Sequence, residues 1–258
     1  MNTESNSVVN MPASLLSLPP VVVVLGHYGV GKTNFSLNLA YDLAAAGKQV
    51  TLIDLDIVNP YFRSSDHVEA LAAAGISMLC PQSANTALDA PMLNVAIDTA
   101  IEDAQAGSNH VCIIDAGGDD VGATALGRFS KLIKQGDHAV LYVVNGLREL
   151  TKQPQEAADL LPEMEFTSHL TATHVVNNTH LMDATDESVV ARGIEFAEEV
   201  ARILGLPLVC TAVPLATEAG SVNLLTPAAQ QLKESIDSGK LTCENCYFVR
   251  IYVKKPWD

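Results

Sequence analysis

The sequence predicts an α/β fold, a doubly wound and mostly parallel sheet with helices on both faces. Three observations predict it. Short, continuous apolar runs recur along the chain, each bounded by turn residues, which is how strands buried on both faces read. Segments of good helix formers separate these runs, the alternation that builds crossover connections. The first run leads directly into a glycine-rich turn that opens a helix.

The apolar runs cover residues 21–25, 50–53, 76–79, 111–114, 139–144, 173–176 and 208–213. Helical patterns cover 33–46, 87–106, 122–134, 149–161, 186–204 and 226–238. Residues 1–18 are rich in Asn, Ser and small residues and are expected to form a loose tail. Residues 19–240 make one domain, with no linker, charge block or internal repeat dividing them. In 241–258 the stretch 248–253 alternates apolar with polar, as an added edge strand would.

Composition narrows the function classes. The 258 residues are 48% hydrophobic, enough for a well-buried core, and carry a formal charge of -15. Only 15 residues are Lys or Arg, and Lys254–Lys255 is their only adjacent pair. A nucleic-acid-coating surface needs a basic stripe, and an anionic membrane surface attracts the same residues, so neither is an expected partner. Pro12, Pro19 and Pro20 interrupt the apolar N-terminal stretch, and no basic segment precedes it. No uninterrupted run is long enough to span a bilayer. Five cysteines, three of them in or beside apolar runs, point to a reducing cytoplasm.

The segment Gly26-His27-Tyr28-Gly29-Val30-Gly31-Lys32-Thr33 fits G-x-x-x-x-G-K-[ST]. Glycines let the backbone wrap phosphate oxygens with successive N–H groups turned inward, and the following helix adds positive potential. Lys32 is expected at the β- and γ-phosphates and the Thr33 hydroxyl on Mg²⁺. The expected nucleotide-facing set runs from Gly26 through Thr33 to the next helix residue, Asn34.

Two strands end in acids. The run 111–114 is followed by Asp115, placed at the carboxyl edge of the sheet beside the phosphate loop, where a Walker B carboxylate orients Mg²⁺. Gly117 and Gly118 follow, and their amides are candidates to approach a γ-phosphate. The run 50–53 is followed by Asp54 and Asp56. Residues two apart face the same side of an extended strand, so both can face the nucleotide, one holding Mg²⁺ through water and the other orienting the attacking water.

A phosphate loop, D-x-D after the second strand and D-x-G-G after a later one together resemble the MinD/ParA/CobQ/CobB branch within the SIMIBI class of P-loop ATPases. That branch includes the nitrogenase iron protein and the tail-anchored-protein targeting ATPase. The resemblance covers residues 21–216. It implies a Rossmann-like three-layer fold, ATP with Mg²⁺, and a homodimer. Asp56 takes the place of the carboxylate that positions the lytic water, with Asp54 left to Mg²⁺. Asp115, Gly117 and Gly118 take the place of Walker B and switch II. Asn177, ending the run 173–176, resembles the residue that reads the purine, although a strand-end turn residue reads the same way. Pro214 resembles the loop that packs on the base through its main chain. One departure stands out. Many members carry a second lysine after the first loop glycine, which crosses to the partner's nucleotide. Here His27 occupies that position and Tyr28 replaces a usual glycine. His27 is shorter and mostly neutral at pH 7. Arg63, in the switch-like stretch from Asn59, is another candidate cation.

Cys243 and Cys246 have the C-x-x-C spacing of a zinc half-site, open also to a redox pair or plain thiols. Two ligands do not close a tetrahedron, so zinc requires a second copy. The function expected from the resemblance is a slow ATPase switch acting on a protein partner, in metallocofactor assembly or protein targeting. The alternative is an ATP-dependent ligase or kinase of the CobQ/CobB or dethiobiotin synthetase type, with Asp119, Asp120 and Arg128 placed near its acceptor.

Overall fold

The computed structural model describes residues 11–56, 65–80, 89–107, 109–118, 120–215 and 226–253. Eight strands form one sheet: β1 (Val21–Leu25), β2 (Gln49–Asp54), β3 (Ile76–Leu79), β4 (His110–Asp115), β5 (His138–Val144), β6 (His174–Asn177), β7 (Leu208–Pro214) and β8 (Cys246–Val249). Their spatial order is β3-β2-β4-β1-β5-β6-β7-β8. Every pairing is parallel, so the sheet expected to be mostly parallel is wholly so among the described residues.

The apolar runs become strands because both faces of the sheet are covered. In β1 all five residues are buried. Val21, Val23 and Leu25 join one core with Ile101, Leu161 and Val200. Val22 and Val24 join the other with Phe35, Leu39 and Leu71. Burying one such side chain is worth about 1.5–3 kcal/mol, so a polar residue has no favourable position along β1.

Helices α1 (Ala13–Leu16), α2 (Lys32–Ala45) and α3 (Ser65–Ala73) precede β1, β2 and β3 in turn. Then come α4 (Asp89–Gln105), α5 (Asp120–Gly127), α6 (Ser130–Ile133), α7 (Pro154–Ser168), α8 (Glu187–Leu204) and α9 (Pro227–Asp237). Among the described residues no helix is long and apolar enough to cross a membrane.

Several elements differ from expectation, each for a local reason. Within the expected loose tail, Met11 and Leu15 are buried and Ala13–Leu16 is helical; Ser14 Oγ donates to Val209 O at 2.8 Å. The helix Ser65–Ala73 was not expected. The single helix foreseen over 122–134 is two, α5 and α6, separated at Arg128 and Phe129. Residues 149–161 hold a 3-10 turn, Glu149–Thr151, and then α7, which runs on past Pro162 to Ser168. Pro162 is exposed, so its ring costs one helical hydrogen bond without displacing the buried Ala158 and Leu161.

The last strand is shifted. It covers Cys246–Val249 instead of 248–253, pairs in parallel with β7, and then leaves the sheet to lie across α2. Asn34 Nδ2 donates to Arg250 O at 2.9 Å, and Asn34 Oδ1 accepts from Tyr252 N at 2.8 Å. Asn38 Nδ2 donates to Asn34 O and Arg250 O, and its Oδ1 accepts from Arg250 N at 2.7 Å. Tyr252 stacks on Tyr41 with ring centroids 4.9 Å apart.

Asn38 is buried and bonds the C-terminal segment through both ends of its amide. Asn38→Ala should therefore lower unfolding free energy by roughly 2–3 kcal/mol, because buried backbone groups lose their partners. Urea denaturation measures this. An unchanged midpoint would mean that the C-terminal segment adds nothing to the stability of α2.

Candidate nucleotide site

Register brings the chemistry to one edge. In the parallel ladders Val24 pairs with Asp115, and Asp54 pairs with Asp115. The carboxyl ends of β1, β2 and β4 are therefore level. The phosphate loop leaves β1 at that edge and returns as α2.

Helix α2 begins with no side-chain cap, so its first N–H groups have no partner from a capping residue. Such an end suits an anion. Gly31, the N-cap, has φ 91°, and a Cβ there would lie 2.3 Å from Asn178 Nδ2. Only glycine fits this position. Lys32 is buried, with Nζ 3.3 Å from His27 O. Val30 is buried and Tyr28 is 65% exposed.

Thr33 Oγ1 donates to Asp115 Oδ2 at 2.6 Å. Asp115 is only 3% exposed, and its other oxygen, Oδ1, has no hydrogen-bond partner. Burial pushes the Asp115 carboxyl up to about 6; the Lys32 ammonium and the Thr33 hydroxyl pull it down, and the Asp56 carboxylate pushes it further up. Ser36 Oγ is likewise buried without a geometric partner, close enough to favour the ionised carboxyl. A buried carboxylate oxygen left bare beside a hydroxyl is the hard, all-oxygen donor set that suits Mg²⁺. The residues present therefore fit the ion expected of a phosphate loop.

Asp54 is buried at the end of β2, and Asp56 lies just beyond it. The two do not extend as one strand. Asp54 Oδ1 accepts from Asp56 N at 2.8 Å, folding the chain into a turn. That turn still leaves Asp56 near enough to influence Asp115.

The loop is braced on two sides. Gly117 is buried directly after β4, and a Cβ on Gly118 would stand 2.7 Å from both Lys32 Nζ and Tyr28 N. The D-x-G-G segment thus touches the phosphate loop because its second glycine has no side chain. From the other side, Asn178 Nδ2 donates to Val30 O at 2.7 Å. Asn178 Oδ1 lies 3.2 Å from His180 Nε2, and His180 Nδ1 accepts from Met182 N at 3.2 Å. These partners assign the proton to Nε2 of a neutral ring. Burial first, and then the Arg148 guanidinium, push His180 down to about 4. Sequence reasoning passed over Asn178, His180 and Arg148. The usable signal was their position just after β6 and β5, at the same sheet edge.

Other expected residues are placed elsewhere. The Asn34 side chain faces the C-terminal segment, away from the loop. Asn177 is fully buried; its Nδ2 donates to Thr211 Oγ1 at 3.3 Å and its Oδ1 accepts from Thr179 N. Its amide is therefore engaged inside the protein, as in a strand-end turn. Pro214 closes β7 and is buried. Arg128 is exposed. Arg63, the stretch from Asn59, and Asp119 lie outside the described residues, as does the side chain of Asp120. Cys243 and Cys246 lie side by side; the hydrogen bond with Cys246 lowers the Cys243 thiol, while that bond first and burial second raise Cys246. Among the described residues no group of three or more His, Cys, Asp or Glu is arranged to hold a metal, so one chain does not complete a zinc site there. Beside the phosphate loop is a cavity of about 290 Å³, lined by Tyr28, Gly118, Ala123, Leu160, Glu163 and Met164 among others.

Comparison with solved structures adds the fold. The signal recognition particle 54 kDa protein of Aeropyrum pernix, in complex with GDP, aligns at TM-score 0.52 and 15% identity, over 86% of this chain and 47% of that one. Chloroplast FtsY of Physcomitrella patens aligns at TM-score 0.51 and 17% identity, over 85% of this chain and 65% of that one. This chain thus spans about half to two thirds of those lengths. Both are SIMIBI-class P-loop proteins, and the likeness is one of fold. A comparison with curated proteins gives no match. The model of the CobQ/CobB/MinD/ParA nucleotide-binding domain matches residues 21–242. With that match over most of its length and a built phosphate loop at its sheet edge, the chain belongs to the CobQ/CobB/MinD/ParA family of P-loop nucleotide-binding domains.

Proposed function

We propose that the protein is a Mg²⁺-dependent ATPase that acts as a conformational switch on a protein partner. The observation that carries this reading is the Thr33–Asp115 contact at 2.6 Å beside a buried, bare carboxylate oxygen. A chain that only binds an anion at a helix end has no use for such an oxygen.

In this mechanism the loop amides and the N-terminus of α2 bind the phosphates, and Lys32 binds the β- and γ-oxygens. Thr33 and Asp115 would hold Mg²⁺ directly and Asp54 through water; when bound, the ion would supply positive charge that offsets the charge developing on the phosphates. Asp56 orients the attacking water and accepts its proton. Gly118, packed on Lys32 and Tyr28, moves with the loss of the γ-phosphate and carries the change into α5.

A protein partner is supported by the exposed apolar residues at this edge. Tyr28 and Leu150 are each 65% exposed and Leu147 is 39% exposed. Adenine rests on the resemblance of Asn177 and Pro214 to the family's base-framing positions; Asp183, in the 3-10 turn Met182–Ala184 just after β6, is a carboxylate that a guanine reading would use. With the Asn177 amide engaged, reading of adenine falls to main chain near Pro214. None of the five cysteines is in a disulfide, in keeping with a cytoplasmic setting. A second reading, an ATP-dependent kinase or ligase, is favoured by the cavity of about 290 Å³ beside the loop, which has room for a small acceptor.

Phosphate release by the purified protein, with no added acceptor, tests the switch reading against the second one. Release only after a small molecule is added would favour the ligase or kinase. Lys32→Ala should abolish the rise in Tm that Mg-ATP gives the wild type; equal rises would remove the phosphate-loop assignment. Asp56→Asn should keep binding and slow hydrolysis on the order of a hundredfold, the usual worth of a positioned base. If Asp54→Asn alone stops turnover, the two carboxylates have exchanged roles. In competition titrations ATP should displace bound nucleotide at lower concentration than GTP does. A preference for GTP would overturn the adenine assignment.

A further inference from the structure

Arg148 sits where the nucleotide reading needs a second positive charge. It follows β5, the neighbour of β1, so the loop that carries it rises at the same sheet edge as the phosphate loop. Its guanidinium Cζ and Nε lie 3.9 Å from the point where a Cβ on Gly29 would stand. Gly29 is in the middle of the segment that wraps the phosphates.

The loop around Arg148 is fixed by its own hydrogen bonds. Asn145 O accepts from Arg148 N at 3.3 Å and from Thr151 Oγ1 at 2.8 Å. Arg148 O accepts from Thr151 N at 3.0 Å, and Asn145 Oδ1 accepts from Leu147 N at 3.0 Å. Gly146 N donates to Thr179 Oγ1 at 3.0 Å, tying the loop to the end of β6. The backbone of Arg148 is therefore preorganised, which lowers the cost of holding its side chain against a ligand.

The guanidinium itself is exposed and forms no ion pair among the described residues. The adjacent carboxylate, Glu149, pairs with Lys152 at 2.9 Å instead. His180, close enough to feel the Arg148 charge, has both ring nitrogens taken by Asn178 and Met182. In a chain with twice as many acids as bases, an arginine held at the phosphate loop and kept from carboxylates is matched to an anionic ligand. Guanidinium geometry suits phosphate oxygens in particular.

We infer that Arg148 is a phosphate contact of the bound nucleotide, reaching over Gly29 from the loop after β5. This inference rests on the nucleotide-binding reading of the site.

Calorimetric titration of wild type, Arg148→Ala, Arg148→Lys and Lys32→Ala with Mg-ATP, Mg-GTP and adenosine tests it. Arg148→Ala should weaken binding of the preferred triphosphate roughly 10- to 100-fold, the usual worth of a charge-assisted hydrogen bond. Adenosine binding and the unfolding midpoint of the nucleotide-free protein should stay as in wild type. Arg148→Lys should recover part of the affinity, since the charge remains and the planar fork is lost. The dependence of affinity on salt should be shallower in Arg148→Ala. Should Arg148→Ala bind the triphosphate like wild type while Lys32→Ala does not, Arg148 is no phosphate contact and the nucleotide site stands without it. Should wild type bind neither triphosphate, the underlying reading falls first.

Discussion

The Asp115 carboxylate is the constraint around which the rest of this protein is arranged. Burying a carboxylate costs several kcal/mol unless charges and donors surround it. Here burial lifts the acid to about 6, and Lys32 and Thr33 hold it down. One oxygen remains bare. Keeping the group ionised requires the phosphate loop beside it, which requires β1 and β4 as neighbours with level ends. The parallel register that pairs Asp115 with both Val24 and Asp54 provides that. Wholly apolar strands follow from the same arrangement, because helices must cover both faces of a parallel sheet.

The phosphate loop is held from three directions, each with a different tolerance for movement. Asn178 grips Val30 O from the β6 side through a buried hydrogen bond at 2.7 Å, backed by a neutral His180. Asn34 and Asn38 tie α2 to the C-terminal segment. Both are satisfied amide networks inside the protein, costly to disrupt. Gly118, by contrast, rests on Lys32 and Tyr28 through contact alone. Of the three braces it is the one that can lift without leaving buried polar groups unpaired. That asymmetry directs any movement at the site toward α5 and away from β6.

Much of this was legible in the sequence, and what was not has identifiable causes. Strands β1 to β7 and most helices follow from apolar periodicity, because double-sided burial leaves little alternative. Lys32, Thr33 and Asp115 were legible because their spacing and strand-end position carry the chemistry directly. Asn34 and Asn177 were harder. A short amide reads equally as a ligand or as a brace, and only the long-range partners Arg250, Tyr252 and Thr211 distinguish them. The helix at Ser65–Ala73 had a start signal in Ser64, Ser65 and Asp66, with Glu69 three residues after Asp66, that the reading passed over. The helical pattern expected over 149–161 ends just before Pro162, yet α7 continues because the proline sits on its exposed side. The shift of β8 to Cys246–Val249 has the same origin as the Asn34 result. Alternation marks an extended segment without saying whether its partner is a sheet or a helix, and residues 250–253 take a helix.

Net charge and ligand charge are independent properties here. A chain at -15 would seem ill suited to a nucleotide polyanion, but at physiological ionic strength charges separated by more than about 8 Å are largely screened. The phosphates respond to the field within that distance. On the proposed reading it is made by the uncapped N-terminus of α2, the buried Lys32 and the exposed Arg148, while α8 packs on β6 and β7. Several acids of α8 and α9 are already matched locally, as in Glu199 with Arg202 at 2.6 Å and Asp237 with Lys233 at 2.6 Å. Among the described residues Asp54, Asp56 and Asp115 are acids at the phosphate edge, and on the proposed reading a divalent ion would turn them from repulsive to attractive toward phosphate. Metal and phosphate binding would then be coupled through the placement of these carboxylates beside Lys32, independent of the charge on the rest of the surface.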